Sequence, residues 1–140
     1  MANIKCADLP VLIVDDHHLL RDVMRQNLLK LGFVDIDMAG TASEAEEKIA
    51  AKPYDIIFLD WLMPGKSGFA MMQEFRQNRS YDHVAFVMVT NQAEERNMVE
   101  AMKAGATSYI IKPALPTSLE KKIQAVLDWV EKVDPTQPKY

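Results

Sequence analysis

Four short runs of apolar residues, none interrupted by a polar side chain, most constrain how this chain can fold. They are VLIV at 11–14, IIFL at 56–59, VAFVMV at 84–89 and YII at 109–111. Runs of this length, rich in β-branched residues, are typical of parallel strands that are covered on both faces. A fifth candidate, VDIDM at 34–38, alternates apolar and acidic residues and is predicted to be a half-exposed edge strand.

Segments with helical periodicity separate these strands. Between residues 20 and 31, apolar side chains recur at intervals of three and four, and Gly32 follows as the predicted C-cap. Further helices are predicted near 42–51, 68–78, 93–104 and 117–131. The strict alternation of strands and helices predicts an α/β fold, a doubly wound parallel sheet of five strands with five helices on its two faces.

A polar residue follows each of the four buried runs. Asp15 and Asp16 follow the first, Asp60 the second, Thr90 the third and Lys112 the last. Because open parallel sheets bind ligands beyond the carboxyl ends of their strands, these five side chains are predicted to form one site. Adjacent carboxylates repel each other unless a cation, a proton or water separates them. Oxygen ligands without cysteine favour Mg²⁺ as that cation.

These residue types together suit phosphoryl chemistry. Asp60, at the end of a buried strand, can act as a nucleophile on phosphorus and form an aspartyl phosphate. The metal ion and Lys112 would neutralise the charge that develops on the phosphoryl oxygens, and Thr90 would donate a hydrogen bond to one of them. The sequence therefore predicts a magnesium-dependent phosphoacceptor site.

The motifs VDD, LDWLMPGKSG, VT and YIIKP, in this order and spacing, resemble the receiver domain of two-component response regulators, the CheY-like family. The resemblance covers residues 9–131, with an N-terminal extension at 1–8 and a C-terminal tail at 132–140. It implies a flavodoxin-like sheet with the strand order 2-1-3-4-5. It also implies a stand-alone, single-domain signalling switch and not a classical enzyme, although such a domain can catalyse its own phosphorylation and dephosphorylation.

The resemblance assigns roles to particular residues. It makes Asp60 the phosphoacceptor, Asp16 a direct metal ligand and Asp15 a ligand that acts largely through water. The main-chain carbonyl of Leu62 would supply a further ligand. Lys112 would pair with Asp60 and with the bound phosphate.

The resemblance also implies a conformational switch. Phosphorylation would draw Thr90 inward, and the space that it leaves would let Tyr109 move from an exposed to a buried position. A cis peptide between Lys112 and Pro113 is a further feature of the family.

The implied partners are proteins. The phosphate would come from a histidine kinase or a phosphotransfer protein, and a downstream target would bind the region 93–131. A net charge of −4 argues against direct binding to nucleic acid, and the longest apolar run is too short to cross a membrane. A single cysteine, Cys6, suits a reducing compartment, so we expect a cytoplasmic protein.

Other functions fit parts of this pattern. One is an unphosphorylated pseudo-receiver that serves as a docking scaffold. Another is a magnesium-dependent phosphatase, which needs a second carboxylate two residues after its nucleophile, where Leu62 stands. A flavodoxin-type flavin protein is disfavoured because the flavin phosphate would meet the acidic VDDHH segment. His17 and His18 could bind a transition metal, but helix-start and solvent roles are preferred.

Overall fold

One parallel sheet brings the polar strand ends together. The computed structural model describes residues 6–113 and 116–132. In this part of the chain the strands are β1 (Val11–Val14), β2 (Ile36–Ala39), β3 (Ile56–Leu59), β4 (Ala85–Thr90) and β5 (Ser108–Ile111). They are all parallel and lie in the order β2-β1-β3-β4-β5. The flavodoxin-like topology predicted from the sequence is therefore confirmed.

Four helices connect consecutive strands, and a fifth follows the last strand. They are α1 (His18–Leu31), α2 (Ala42–Ala51), α3 (Gly68–Arg76), α4 (Glu95–Ala104) and α5 (Pro116–Lys132). Gly32 ends α1 with a φ of 109°, which confirms the predicted C-cap, since this left-handed backbone favours glycine. Thr41 begins α2 by accepting a hydrogen bond from the Glu44 backbone N–H.

The alternation of side chains along each strand builds two apolar layers. On one face, Leu12, Ile57 and Phe86 pack against α2, α3 and α4. On the other face, Ile13, Phe58 and Val87 pack against α1 and α5. Both faces of the sheet are therefore covered, which explains why the inner strands contain no polar residue before their carboxyl ends.

The edge strand differs from its prediction at its start. β2 begins at Ile36 and not at Val34, because Val34 is 65% exposed and precedes the first pair with β1, which is Val11 with Ile36. Three of the four residues of β2 are half-buried. The prediction of a half-exposed edge strand is thus confirmed, with its position shifted along the chain.

Several other boundaries move by one or two residues. β4 ends at Thr90, so that this threonine is the last residue of the strand and does not follow it. α4 begins at Glu95 because Glu94 has an extended backbone and is the N-cap residue. The predicted extension 1–8 is described only from Cys6, where a short 3-10 helix, Cys6–Asp8, begins. Of the predicted tail 132–140, all but Lys132 lies outside the described residues.

A partly buried arginine, Arg76, ties the amino ends of β4 and β5 to α3. The Arg76 guanidinium donates hydrogen bonds to the carbonyl oxygens of Gly105 at 2.9 Å, Tyr81 at 2.8 Å and Val84 at 2.7 Å. It also lies over the Phe86 ring, 4.7 Å from the centroid. Burial lowers the pKa of Arg76 from its ordinary value. Three carbonyl acceptors and an aromatic face stabilise the charge where β4 and β5 begin.

Within residues 6–113 and 116–132, no helix is both long enough and apolar enough to cross a bilayer.

Candidate functional site

The carboxyl ends of the strands hold the predicted side chains at one edge of the sheet. Backbone hydrogen bonds continue past the strand ends, from Asp15 N–H to the Ala39 carbonyl and from Asp60 N–H to the Val14 carbonyl. The Lys112 N–H donates in the same way to the Thr90 carbonyl. These bonds fix the backbone just where the functional side chains branch from it.

Lys112 lies between two of the carboxylates. Its Nζ is 2.7 Å from Asp15 Oδ2 and 3.0 Å from Asp60 Oδ2. Asp15 and Asp60 are buried, and the Lys112 side chain is 9% exposed. Burial alone would lower the pKa of Lys112, but the hydrogen bonds to Asp15 and Asp60 outweigh it and hold the pKa above its ordinary value. The lysine is therefore a fixed positive charge beside Asp60.

Asp16 completes an acidic cluster that is suited to a cation. Asp15, Asp16, His17 and Asp60 each offer one ligand atom, and these atoms all lie within 4.8 Å of one another. Asp16 Oδ1 is buried and has no hydrogen-bond partner among the described residues. A buried carboxylate oxygen without a partner is unfavourable unless a cation or water satisfies it. With three carboxylates against one ammonium, the donor set fits a hard divalent cation such as Mg²⁺.

The turn after β1 is held by local hydrogen bonds. The His17 backbone N–H donates to Asp15 Oδ1 at 2.9 Å, and Arg21 of α1 donates from its guanidinium to the Asp15 main-chain carbonyl. The sequence did not predict the contribution of Arg21. No local pattern indicates that a side chain of α1 would donate to a main-chain carbonyl six residues earlier.

The loop after β3 passes very close to Asp60. Gly68 donates from its N–H to the Trp61 carbonyl at 2.9 Å, and a Cβ at Gly68 would lie 1.9 Å from the Asp60 carbonyl oxygen. Only glycine allows this approach. Ser67 then starts α3 by accepting from the Ala70 N–H. The Leu62 side chain is exposed, and the predicted metal-ligating role of its main-chain carbonyl stays a prediction.

Thr90 and Tyr109 lie on the other side of Asp60 and share a neighbour, Gln92. Thr90 is buried, and its Oγ1 accepts from the Gln92 N–H at 3.3 Å. Tyr109 is 3% exposed and donates from its hydroxyl to the Gln92 carbonyl. Burial, and then the negative charge of Asp60, raise the pKa of Tyr109. The family resemblance implies an exposed and a buried position for Tyr109, and in this structure its side chain is in the buried position. The Lys112–Pro113 peptide is cis, as predicted.

An apolar cleft opens beside the acidic cluster. It has a volume of about 250 Å³, and Asp60, Lys112, Pro113 and residues of α1 line it. Leu20 and Val23 of α1 are 41% and 55% exposed, and only Met24 and Leu28 are fully buried in this helix. The first turns of α1 therefore present apolar side chains to the cleft and to solvent.

A second exposed apolar surface is formed by α4 and β5. Met98, Val99 and Met102 of α4 are between 37% and 45% exposed, and Ile111 of β5 is 46% exposed. A methionine at the margin of the apolar face of a helix, such as Met98, can serve either core packing or a contact with a partner. Its exposure, and that of its two neighbours on α4, favours the partner contact.

Comparisons with known proteins agree with this geometry. The sequence profile of the response regulator receiver domain matches residues 11–124. Chemotaxis protein CheY1 of Helicobacter pylori is 30% identical over 118 residues, which are 84% of this chain and 95% of that protein. Chemotaxis protein CheY-3 of Vibrio cholerae is 28% identical over 121 residues, which are 86% of this chain and 93% of that protein.

Solved structures show the same similarity in three dimensions. A CheY-like response regulator receiver domain protein from Methanospirillum hungatei is 32% identical, with a TM-score of 0.78 over 89% of this chain and 97% of that one. Chemotaxis protein CheY4 of Vibrio cholerae is 29% identical, with a TM-score of 0.77 over 84% of this chain and 98% of that one. The sequence match includes all the strand ends that carry the site.

Proposed function

Since this chain belongs to the response regulator receiver family, whose members are two-component signalling domains and not classical enzymes, we propose that it is a phosphorylation-activated switch with Asp60 as its phosphoacceptor. The observation that carries this proposal is the convergence of Asp15, Asp16, Asp60 and Lys112 at one sheet edge. In this function, the chain receives a phosphoryl group, which changes the surface that it presents to another protein.

The proposed chemistry is phosphoryl transfer to Asp60. A carboxylate oxygen of Asp60 forms a bond to phosphorus as the bond between phosphorus and the donor nitrogen breaks, and the donor imidazole leaves. Lys112, already 3.0 Å from Asp60 Oδ2, neutralises charge on the phosphoryl oxygens, and Thr90 donates a hydrogen bond to one of them. The same residues would let the chain catalyse its own phosphorylation and dephosphorylation.

Mg²⁺ is the proposed cofactor. Asp16, Asp60 and the main-chain carbonyl of Leu62 would hold it directly, and Asp15 largely through water. When bound, it would supply positive charge beside the phosphoryl oxygens. The buried oxygen of Asp16, which has no partner among the described residues, supports this assignment, since such an oxygen is a suitable ligand for a hard cation.

The proposed partners dock at two surfaces. A histidine kinase or phosphotransfer protein would reach Asp60 over α1, where Leu19, Leu20 and Val23 are exposed. A downstream target would bind within the region 93–131, where α4 and β5 present exposed apolar side chains. Exposed apolar patches of this kind are typical of protein interfaces.

The central test is phosphoryl incorporation from a small donor. We expect phosphoramidate with Mg²⁺ to add one phosphoryl group per chain, detected by intact-protein mass spectrometry, and we expect removal of Mg²⁺ by a chelator to abolish the addition. A chain that takes up no phosphate under these conditions would support the alternative of an unphosphorylated docking scaffold. Repeated release of inorganic phosphate, far beyond one equivalent per chain, would support the phosphatase alternative.

A separate prediction concerns the switch residue Thr90. We expect Thr90→Ala to change the rate of incorporation by no more than about tenfold, because one neutral hydrogen bond contributes about 1 kcal/mol. The response of β5 to phosphorylation should nevertheless be lost, since the hydroxyl links the phosphoryl group to the segment around Tyr109. Amide chemical shifts of residues 108–111, recorded by NMR before and after phosphorylation, measure that response.

The matched control is Thr90→Ser, which keeps the hydroxyl. On phosphorylation, we expect the β5 amide shifts of this variant to change as they do in the chain without a substitution. A full β5 response in Thr90→Ala would show that the signal reaches Tyr109 by another route.

A further inference from the structure

The imidazole of His17 lies at the acidic cluster. Its Nδ1 is 3.3 Å from Asp15 Oδ1 and 3.3 Å from Asp16 Oδ1, and the ligand atoms of these three residues and Asp60 lie within 4.8 Å of one another. The His17 side chain is 63% exposed, so burial in the core does not explain its position.

The helix start does not explain the ring position either. His17 is the N-cap residue of α1, but its side chain makes no capping hydrogen bond. Its backbone N–H donates to Asp15 Oδ1 at 2.9 Å, and its ring Nδ1 lies within hydrogen-bond distance of the same oxygen, at 3.3 Å. Although Nδ1 lies near Asp16 Oδ1, that oxygen still has no hydrogen-bond partner among the described residues. The ring nitrogen therefore contacts Asp15 and also lies beside a buried oxygen of Asp16 that it does not satisfy.

We propose that His17 Nδ1 is a nitrogen ligand to the cation at this site and gives the site a preference for borderline transition-metal ions, such as Ni²⁺, over Mg²⁺. Imidazole binds ions of this class well, whereas Mg²⁺ prefers oxygen ligands, so a single nitrogen donor changes selectivity more than it changes Mg²⁺ affinity. The inference rests on the proposed function in one respect: it assumes that the cation binds at the same carboxylates.

The adjacent residue offers a matched control. His18 is also exposed and is the first residue of α1, but it is not part of the group of converging ligand atoms. Replacement of either histidine by alanine removes one imidazole from the same turn. Of the two histidines, only His17 is placed to bind an ion together with Asp16.

The test is isothermal titration calorimetry of the full chain, prepared without an affinity tag, with Ni²⁺ and separately with Mg²⁺. We expect His17→Ala to weaken Ni²⁺ binding by about tenfold or more and to change Mg²⁺ binding by less than about threefold. His18→Ala should change neither affinity. Saturating Mg²⁺ should weaken the apparent binding of Ni²⁺ to the unmodified chain, because both ions use the same carboxylates.

Three results would overturn the inference. Equal weakening of both ions by His17→Ala would show that His17 positions the carboxylates and does not bind the ion. Equal loss of Ni²⁺ affinity in His18→Ala would indicate a surface site formed by the two histidines. Simultaneous binding of Ni²⁺ and Mg²⁺ would show two separate sites.

These results are distinguishable from a failure of the proposed function. If phosphoramidate still phosphorylates the chain but Ni²⁺ affinity does not depend on His17, only the inference fails. If Ni²⁺ affinity depends on His17 but the chain accepts no phosphate, only the phosphoacceptor assignment fails.

Discussion

Asp60→Asn is expected to reduce phosphoryl incorporation from phosphoramidate by more than about a hundredfold, because a neutral amide is a far weaker nucleophile towards phosphorus than a carboxylate. The variant should fold. Lys112 keeps its 2.7 Å contact with Asp15, and the substitution removes one of three carboxylates that lie close together. Intact-protein mass spectrometry measures incorporation, and urea denaturation measures the free energy of unfolding.

Asp82→Asn is the matched control for this prediction. Asp82 is a partly exposed aspartate in the segment before β4, at the opposite end of that strand from Thr90 and the site. Its replacement should leave incorporation unchanged. Undiminished incorporation in Asp60→Asn would mean that another side chain is the phosphoacceptor, and Asp15 and Asp16 would be the next candidates.

Gly68→Ala is expected to lower the free energy of unfolding by about 3 kcal/mol or more. The added methyl carbon would lie 1.9 Å from the carbonyl oxygen of Asp60, and a backbone atom held between β3 and α3 cannot move aside as a flexible side chain could. The chain would have to displace the start of α3 or the end of β3. We therefore expect phosphoryl incorporation to fall as well, since either movement displaces Asp60.

Gly65→Ala separates this steric effect from the general effect of losing a glycine. Gly65 has a φ of 79°, but no atom lies within 4 Å of the position that its Cβ would occupy. Its replacement should cost only the backbone strain, about 1 kcal/mol. Equal losses of stability in the two variants, measured by urea denaturation, would contradict the steric explanation for Gly68.

The site was predictable from the sequence because of where its residues stand relative to the strands. Asp15, Asp60 and Lys112 each come directly after a strand, and parallel strands present their carboxyl ends at a common edge. Topology alone therefore brought these side chains together, and the 2.7 Å and 3.0 Å contacts of Lys112 follow from it. The sheet order was predictable only from the resemblance to the family, since strand periodicity does not specify which strands are neighbours.

Other features depend on tertiary packing that no local pattern encodes. Hydrophobic periodicity identified α1, but it could not show that Leu20 and Val23 are exposed beside the cleft. The close approach of Gly68 to Asp60 depends on the path of the loop between them. The position of the His17 ring depends on which side-chain rotamer the residue adopts. Hydrophobic periodicity gives no information about the rotamer of a polar residue in a turn.

The contacts of Arg76 have a mechanical consequence for signalling. They fix β4 and β5 at the ends farthest from Asp60, through the carbonyls of Val84 and Gly105. In the proposed switch, a displacement that begins beside Asp60 would meet this restraint at the amino ends of β4 and β5. Movement should therefore be greatest near Thr90 and smallest near Arg76, so a partner would detect it mainly on the part of the α4 and β5 surface nearest Asp60.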